Sequence, residues 1–224
     1  MDVESLNALV RLTEGMLGSA EIESVDSGEP VVVHRVPLGW EVVGAGNYAA
    51  VFSHPAFPGA VVKAYAPGRP GIEAEVLVYR VLGEHPSYSR CLHAGPNYLI
   101  LRRLVGVTLF ECLRRGMPVP PGAIRSIDAA LDAARARGLF PHDVHAKNVM
   151  IGPAGEGLVV DVSDFGHELP CRRWDDIKRA YYMLYQPFMA WRPVPIPLWI
   201  LDLVRRGYRR FAFRSIEKPR ASGS

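Results

Sequence analysis

Residues 139–166, LFPHDVHAKNVMIGPAGEGLVVDVSDFG, constrain the chain more than any other stretch. A polar loop, a short apolar run, the turn GPAGEG and a second apolar run, Leu158-Val159-Val160, together spell a hairpin. A hairpin returns the end of its second strand to the start of its first. Asn148 stands just before the first strand, and Asp161, thirteen residues on, just after the second. The two side chains therefore converge, with Asp143, five residues before Asn148, close by on the loop. Oxygen ligands in this arrangement suit magnesium, which is held by one or two side chains and completes its shell with substrate phosphates.

With 224 residues, 49% of them hydrophobic, the chain can bury a core as one domain or as two small lobes. Its formal charge of +3 is nearly balanced, so net charge alone implies neither a nucleic-acid nor a membrane partner. Cys91, Cys112 and Cys171 are odd in number and lack CxxC spacing, which favours structural thiols in a reducing compartment over disulfides or zinc. The opening MDVESLNALVRLTEG is acidic and amphipathic, without the basic start and apolar core of a secretion signal. No apolar run approaches the length of a membrane span, so no transmembrane segment and a cytoplasmic location are expected.

Taken in order, residues 4–18 carry Leu6, Leu9, Val10, Leu12 and Leu17 on roughly one face of a helix. Val31–Val33 and Trp40–Val43 read as strands. Gly44-Ala-Gly46-Asn-Tyr-Ala49-Ala-Val51-Phe52 then repeats the order strand, glycine turn, strand. Glycines there let backbone amides approach phosphate oxygens. Ala60–Tyr65 resumes a strand and carries Lys63, twelve residues after Val51. Residues 72–82, IEAEVLVYRVL, read as a helix with Val76, Tyr79 and Leu82 on a buried stripe and Glu75 at its border. Glu73, two residues away, would point elsewhere. Asn97–Leu101 is apolar enough for a buried strand, followed by Arg102-Arg103-Leu104-Val105-Gly106. Val107–Arg115 reads as a short helix, and Ile124, Ile127, Leu131 and Ala134 mark a longer one that ends at Gly138 and delivers the loop. A further helix runs from Trp174 to Tyr185, and a last one spans Leu198–Phe213 beyond Pro193, Pro195 and Pro197.

The ordered set of glycine hairpin, Val-Val-Lys63, helix Glu75, apolar strand, Asp143-x-x-x-x-Asn148 and Val-Val-Asp161 resembles the protein-kinase-like superfamily over roughly residues 38–186. The loop DVHAKN is similar to that of small atypical bacterial serine/threonine protein kinases and of aminoglycoside-phosphotransferase-like kinases. The chain departs from the pattern at Ala49, which replaces a third glycine, and at Arg102, where the hinge is usually acidic. His142 also lies directly beside Asp143, and the segment after Gly166 is short.

The resemblance implies an α+β, bilobal fold. A β-rich N-lobe would span 38–104 and a shortened helical C-lobe 105–224, with residues 1–37 an N-terminal extension packed on the first lobe. It implies ATP and Mg2+ as cofactors, and a protein Ser/Thr hydroxyl as acceptor. Gly44, Gly46, Val51, Lys63, Leu101, Arg102 and Leu104 would then hold the nucleotide. Glu75 would pair Lys63, Asn148 and Asp161 would hold the metal, and Asp143 would accept the acceptor's proton. Lys147 would balance charge on the moving phosphoryl group. Asp164, in Asp164-Phe165-Gly166, rivals Asp161 as the metal ligand, although the strand directly before Asp161 favours the latter. Lys63 is expected to make polar contacts outside any core, so its replacement by methionine should leave the fold intact. A small-molecule kinase of the aminoglycoside or sugar type stays open as a second class, and a non-catalytic nucleotide-binding regulator or ATPase as a third.

The tail carries Arg205, Arg206, Arg209, Arg210 and Arg214 beside Trp199, Leu203 and Val204. This resembles a basic amphipathic helix. Either its apolar face closes the C-lobe and the arginines are solvated, or they dock an acidic partner such as a protein substrate, anionic lipid or RNA.

Overall fold

Strand β5 (Ala60–Tyr65) accounts for much of the N-terminal half. Side chains alternate across a strand, and here both sides are apolar. Ala60, Val62 and Ala64 join one buried cluster, while Tyr65 lies in a second, with Val61 packed against it. A strand buried on both faces reads as a near-continuous apolar run, which is the pattern of AVVKAY. The computed structural model describes residues 1–26, 28–168, 171–204 and 206.

Strand β5 is the centre of a five-stranded antiparallel sheet in the order β3-β4-β5-β7-β6. The other members are β3 (Glu41–Ala45), β4 (Ala49–Ser53), β6 (Cys91–Ala94) and β7 (Tyr98–Arg102). Val51 pairs with Lys63 across β4 and β5, and Lys63 with Leu99 across β5 and β7, so the three share one face. That face meets α2 (Ile72–Leu82), whose limits match the expected helix. Tyr79 and Leu82 are buried as expected, but Val76 is only half-buried. Glu75 is not at the border: with Ile72, Val78, Tyr79 and Leu82 it forms the buried side itself.

The opposite face is covered by α1 (Val3–Leu17). Asp2 caps α1 by accepting the Ser5 N–H at 2.8 Å. Leu9, Thr13 and Met16, spaced four and three apart, form its buried stripe. Leu9 and Met16 lie in one cluster with Phe52, Val62 and Ile100 of the sheet and with Val31 and Trp40. A two-stranded ribbon, β1 (Glu21–Glu23) with β2 (Val32–Arg35), lies between α1 and β3 in sequence, and the N–H of Val31 reaches the Gly46 carbonyl at 2.9 Å. Leu9 is 1% exposed. Leu9→Ala is therefore expected to cost about 2–5 kcal/mol of stability, read from a lowered midpoint in urea unfolding.

Helices dominate the C-terminal half: α3 (Leu109–Arg115), α4 (Pro121–Ala136) and α5 (Arg173–Ala180). The last runs into a π-helical turn, Tyr181–Tyr185, and a short α6 (Gln186–Phe188). The Tyr181 hydroxyl donates to the Val119 carbonyl at 3.0 Å, and the Val119 N–H donates to the Tyr185 hydroxyl at 3.0 Å. These bonds fix one side of the π turn to the segment before α4. Residues 107–108 form a strand, β8, not the start of a helix. They pair with β9 (Val149–Ile151), and Thr108 caps α3 by accepting the Glu111 N–H. Strand β10 (Gly157–Val159) completes the hairpin with β9.

Helix α4 buries Ile124, Ile127, Ala130, Leu131 and Ala134. Just beyond its end, Gly138, with a φ of 79°, lets the Leu139 N–H turn back to the Ala134 carbonyl at 3.1 Å. The same buried cluster holds Val78, Leu82 and Leu99 from the N-terminal half with Ile124, Leu131 and Val159 from the other. The architecture is thus α+β, with sheets towards the N-terminus and helices towards the C-terminus. Cys91, Cys112 and Cys171 are free thiols. No described helix is long and apolar enough to cross a membrane. Residues 198–204 are helical, whereas Arg205, Arg209, Arg210 and Arg214 of the expected basic helix lie outside the described residues.

Candidate functional site

The sheet face that carries Val51 and Lys63 also sets the first half of the site. Lys63 Nζ donates to both Glu75 oxygens, at 2.9 and 2.8 Å, and to Asp161 Oδ1 at 3.3 Å. The Glu75 side chain is 0% exposed and that of Lys63 13%. Burial works against the Lys63 charge, but the carboxylates of Asp161 and Glu75 outweigh it and hold the ammonium well above its usual range. Tyr65, two residues beyond Lys63 and so on the same strand face, donates its hydroxyl to Glu75 Oε2. Burial, together with the neighbouring carboxylate, pushes the Tyr65 hydroxyl far above the ordinary tyrosine range, so it stays protonated as a donor. Glu73, the rival of Glu75, is exposed.

The hairpin sets the second half. Val149 pairs with Val159, and the Val160 N–H donates to the Asn148 carbonyl at 3.0 Å, so Asn148 and Asp161 flank the open end together. Asn148 Nδ2 donates to the Asp143 carbonyl at 3.1 Å, tying the amide to the loop. The Ser163 N–H donates to Asp161 Oδ1 at 3.1 Å. Burial raises the Asp161 carboxyl, but Lys63 and the Ser163 N–H more than offset it and hold it below the usual carboxylate range. Asp161 is thus an anion drawn against Lys63. Asp164 is placed elsewhere, with Oδ1 3.8 Å from His167 Nε2. Between them Phe165 is fully buried, edge-on to Tyr88, and its carbonyl accepts the Phe140 N–H at 2.8 Å. These contacts anchor the far end of the segment to the start of the loop.

Asp143 has a φ of 54°, the one positive value at a non-glycine among the described residues. Aspartate tolerates the left-handed region better than most side chains. Its carboxylate contacts the Arg173 guanidinium from the first turn of α5, and Oδ2 stands 3.9 Å from His145 Nε2, beyond hydrogen-bond reach. Burial lowers the His145 imidazole below its usual range, which keeps it neutral at pH 7. Lys147 is exposed, its ammonium 5.0 Å from the Phe110 ring centroid. Asp176, in the same first turn of α5 as Arg173, is exposed.

The glycine hairpin presents its own signal. Neither Gly44 nor Gly46 has the positive φ that would demand glycine, and a Cβ on either would meet nothing nearer than 3.9 Å. The protein's own packing therefore does not explain these glycines. Farther along the sheet, Leu101 is buried and paired with Val61, while Leu104 is half-buried. Arg102 is exposed and turns its guanidinium to the Tyr88 carbonyl at 2.5 Å. The Arg102 carbonyl accepts from the Ser89 hydroxyl at 2.6 Å.

The structure thus brings Lys63, Glu75 and Asp161 into one cluster and sets Asn148 and Asp143 beside each other on the adjoining loop. Tyr65 and Arg173 belong to these groups although sequence reasoning did not name them. Period-two alternation from Lys63 would have found Tyr65, whereas nothing local marks Arg173, thirty residues from Asp143. Among the described residues no group of three or more His, Cys, Asp or Glu side chains is arranged to hold a metal ion.

No protein-family model matches the chain. Over 140 residues it is 30% identical to the Bacillus subtilis (strain 168) protein named "Putative serine/threonine-protein kinase YrzF". That similarity covers 62% of this chain and 64% of the relative, so the chain spans about 64% of the relative's length. It points to a relationship with the kinase superfamily at a distance that leaves the subtype open.

Proposed function

We propose that the chain is an ATP- and Mg2+-dependent phosphotransferase of protein-kinase-like, bilobal build, acting on a Ser or Thr hydroxyl of a protein. The observation that carries this reading is the buried pairing of Lys63 with Glu75 and its contact with Asp161. A buried ion pair contributes little net stability compared with apolar residues of similar size. Its use here is to hold an ammonium fixed over one face of the sheet, where phosphate oxygens could reach it. The glycines at positions 44 and 46, unexplained by the fold, leave room for a nucleotide to lie against the β3–β4 turn. Val51, Val61, Leu101 and Leu104 would offer apolar contact to its base.

The residues also fit a divalent ion. Lys63, Glu75 and Asp161 sum to one excess negative charge, and Asn148 and Asp161, at the open end of the hairpin, would offer hard oxygen ligands. Bound magnesium would neutralise charge on the phosphates and orient them. Asp143 then holds the acceptor hydroxyl in line and takes its proton, which requires Arg173 to share or yield the carboxylate. Neutral His145 lines the loop, and Lys147 can swing from the Phe110 ring towards a transferring phosphoryl group.

The test is incubation with γ-labelled ATP and Mg2+, alone, with casein-like acceptor proteins and with a panel of hydroxyl metabolites. Label is expected in protein. Asp143→Asn is expected to lower transfer by about 10²–10⁴-fold with nucleotide affinity retained, since the base acts mainly in the transition state. Label confined to a metabolite would make the chain a small-molecule kinase. Nucleotide binding without transfer would make it a regulator.

A further inference from the structure

Arg173 stands in the first turn of α5, and its Nη1 ion-pairs with Asp143 Oδ1, an oxygen shut off from solvent. A guanidinium carries five N–H donors in a planar fork. Among the described residues Asp143 is the one carboxylate that Arg173 meets, and 45% of its side chain is open to solvent. Most of the fork is therefore uncommitted, on the very carboxylate that faces the acceptor.

The charges around this pair show what the open donors would meet. The acids nearest to it along α5 are held by other contacts: Asp175 Oδ1 lies 3.9 Å from Lys178 Nζ, and Asp176 is not free either. Asp164 is turned to His167. Lys147 on the Asp143 loop and Arg172 directly before Arg173 are exposed, and neither makes a salt bridge among the described residues. His145, 3.9 Å from Asp143 Oδ2, is neutral at pH 7 and adds no charge. The approach to Asp143 thus presents cations in want of anions.

The next step rests on the reading of Asp143 as the group that takes the acceptor's proton. The acceptor oxygen then lies about 2.6–3.2 Å from Asp143, and the open edge of the guanidinium lies roughly 6–8 Å from that oxygen. Extended chain spans about 3.3–3.6 Å per residue, so a side chain one or two residues from the acceptor reaches the fork. A carboxylate fits such a fork with two parallel hydrogen bonds. We infer that Arg173 is a specificity-determining residue that selects a Ser or Thr with an Asp or Glu one or two residues away. Arg173 holds Asp143 with one nitrogen and the acidic side chain of the acceptor segment with the others. A lysine at the same place would face Arg172, Arg173 and Lys147 and be repelled.

The test is steady-state transfer from ATP and Mg2+ by the full chain to three peptides that differ only in the residues flanking one Ser, which are Ala, Glu or Lys. The Glu peptide is expected to exceed the Ala peptide in kcat/KM on the order of 10–100-fold, with the Lys peptide poorest. Arg173→Ala should remove the Glu preference, chiefly by raising KM for the Glu peptide. Arg173→Lys should keep part of it, and Arg173→Glu should turn it towards the Lys peptide. Each preference is a ratio within one variant, so a general loss of rate through Asp143 does not enter it. The side chain is half exposed, so the variants are expected to fold, with far-UV circular dichroism matching the parent. The parent's own ratio tests the inference without any substitution. Equal use of the Glu and Ala peptides by the parent overturns the inference and leaves phosphoryl transfer standing. A Glu preference that survives in Arg173→Ala overturns it too. Label in a casein-like protein but in none of the peptides overturns the inference alone, whereas label in neither overturns the reading beneath it as well.

Discussion

Lys63→Met is expected to abolish phosphoryl transfer and also to destabilise the fold by about 3–5 kcal/mol. A lysine whose contacts lay outside any core would cost far less. Here the partner decides the outcome: Glu75 is fully buried, and both its oxygens are engaged by the ammonium. Methionine leaves a carboxylate in the interior with the Tyr65 hydroxyl but no cation. Pairing Lys63→Met with Glu75→Gln removes that orphan charge and is expected to recover most of the lost stability while transfer stays absent. Urea unfolding of the two single variants and the double variant measures the coupling. Additive losses would show that the pair is not formed in solution, and unchanged transfer in Lys63→Met would sink the assignment of the lysine to the phosphates.

Asp161→Asn is expected to reduce transfer on the order of 10²–10³-fold and to remove the magnesium dependence of ATP binding in calorimetric titrations. Asp164→Asn should do neither. The contrast rests on position: Asp161 lies 3.3 Å from Lys63 and follows Val160, whose N–H bonds the Asn148 carbonyl, whereas Asp164 faces the exposed His167. Neutralising Asp164 touches a surface pair, worth about 0–1 kcal/mol. The reverse pattern would transfer the metal to the Asp-Phe-Gly aspartate and leave Asp161 as a lysine anchor.

Much of this arrangement was legible because it is written in short periods. The limits of α2 and the hairpin turn GPAGEG depend on neighbours a few residues away, and both emerged where expected, whereas the buried stripe of α2 takes in Glu75 in place of Val76. The depth of Glu75 did not. The stripe that includes it exists only once β5 brings Lys63 and Tyr65 against the same helix, so a charged residue that looked marginal is central. Strand β8 was hidden for a related reason: two residues have no periodicity, and only β9 makes them a strand. Arg173 was invisible because its partner Asp143 is brought near by packing of α5, with no spacing rule between them. Val51, Lys63 and Leu99, by contrast, share a face through simple register, as the alternation of their strands allows.

The placement of α1 also bears on synthesis. Its buried stripe rests on β4, β5 and β7, yet α1 ends at residue 17 and β7 at residue 102, a gap of 102 − 17 = 85 residues. At ribosomal rates of about 5–20 residues per second, the helix leaves the tunnel roughly 4–17 s before its last partner. Until then Leu9 and Met16 can meet only part of their native surface, Phe52 of β4 and Val62 of β5, without Ile100 of β7. A fifteen-residue helix is only marginal alone in water. The waiting segment is thus a natural client for a chaperone that binds short amphipathic stretches, and the sheet becomes covered on both faces only when β7 has been made.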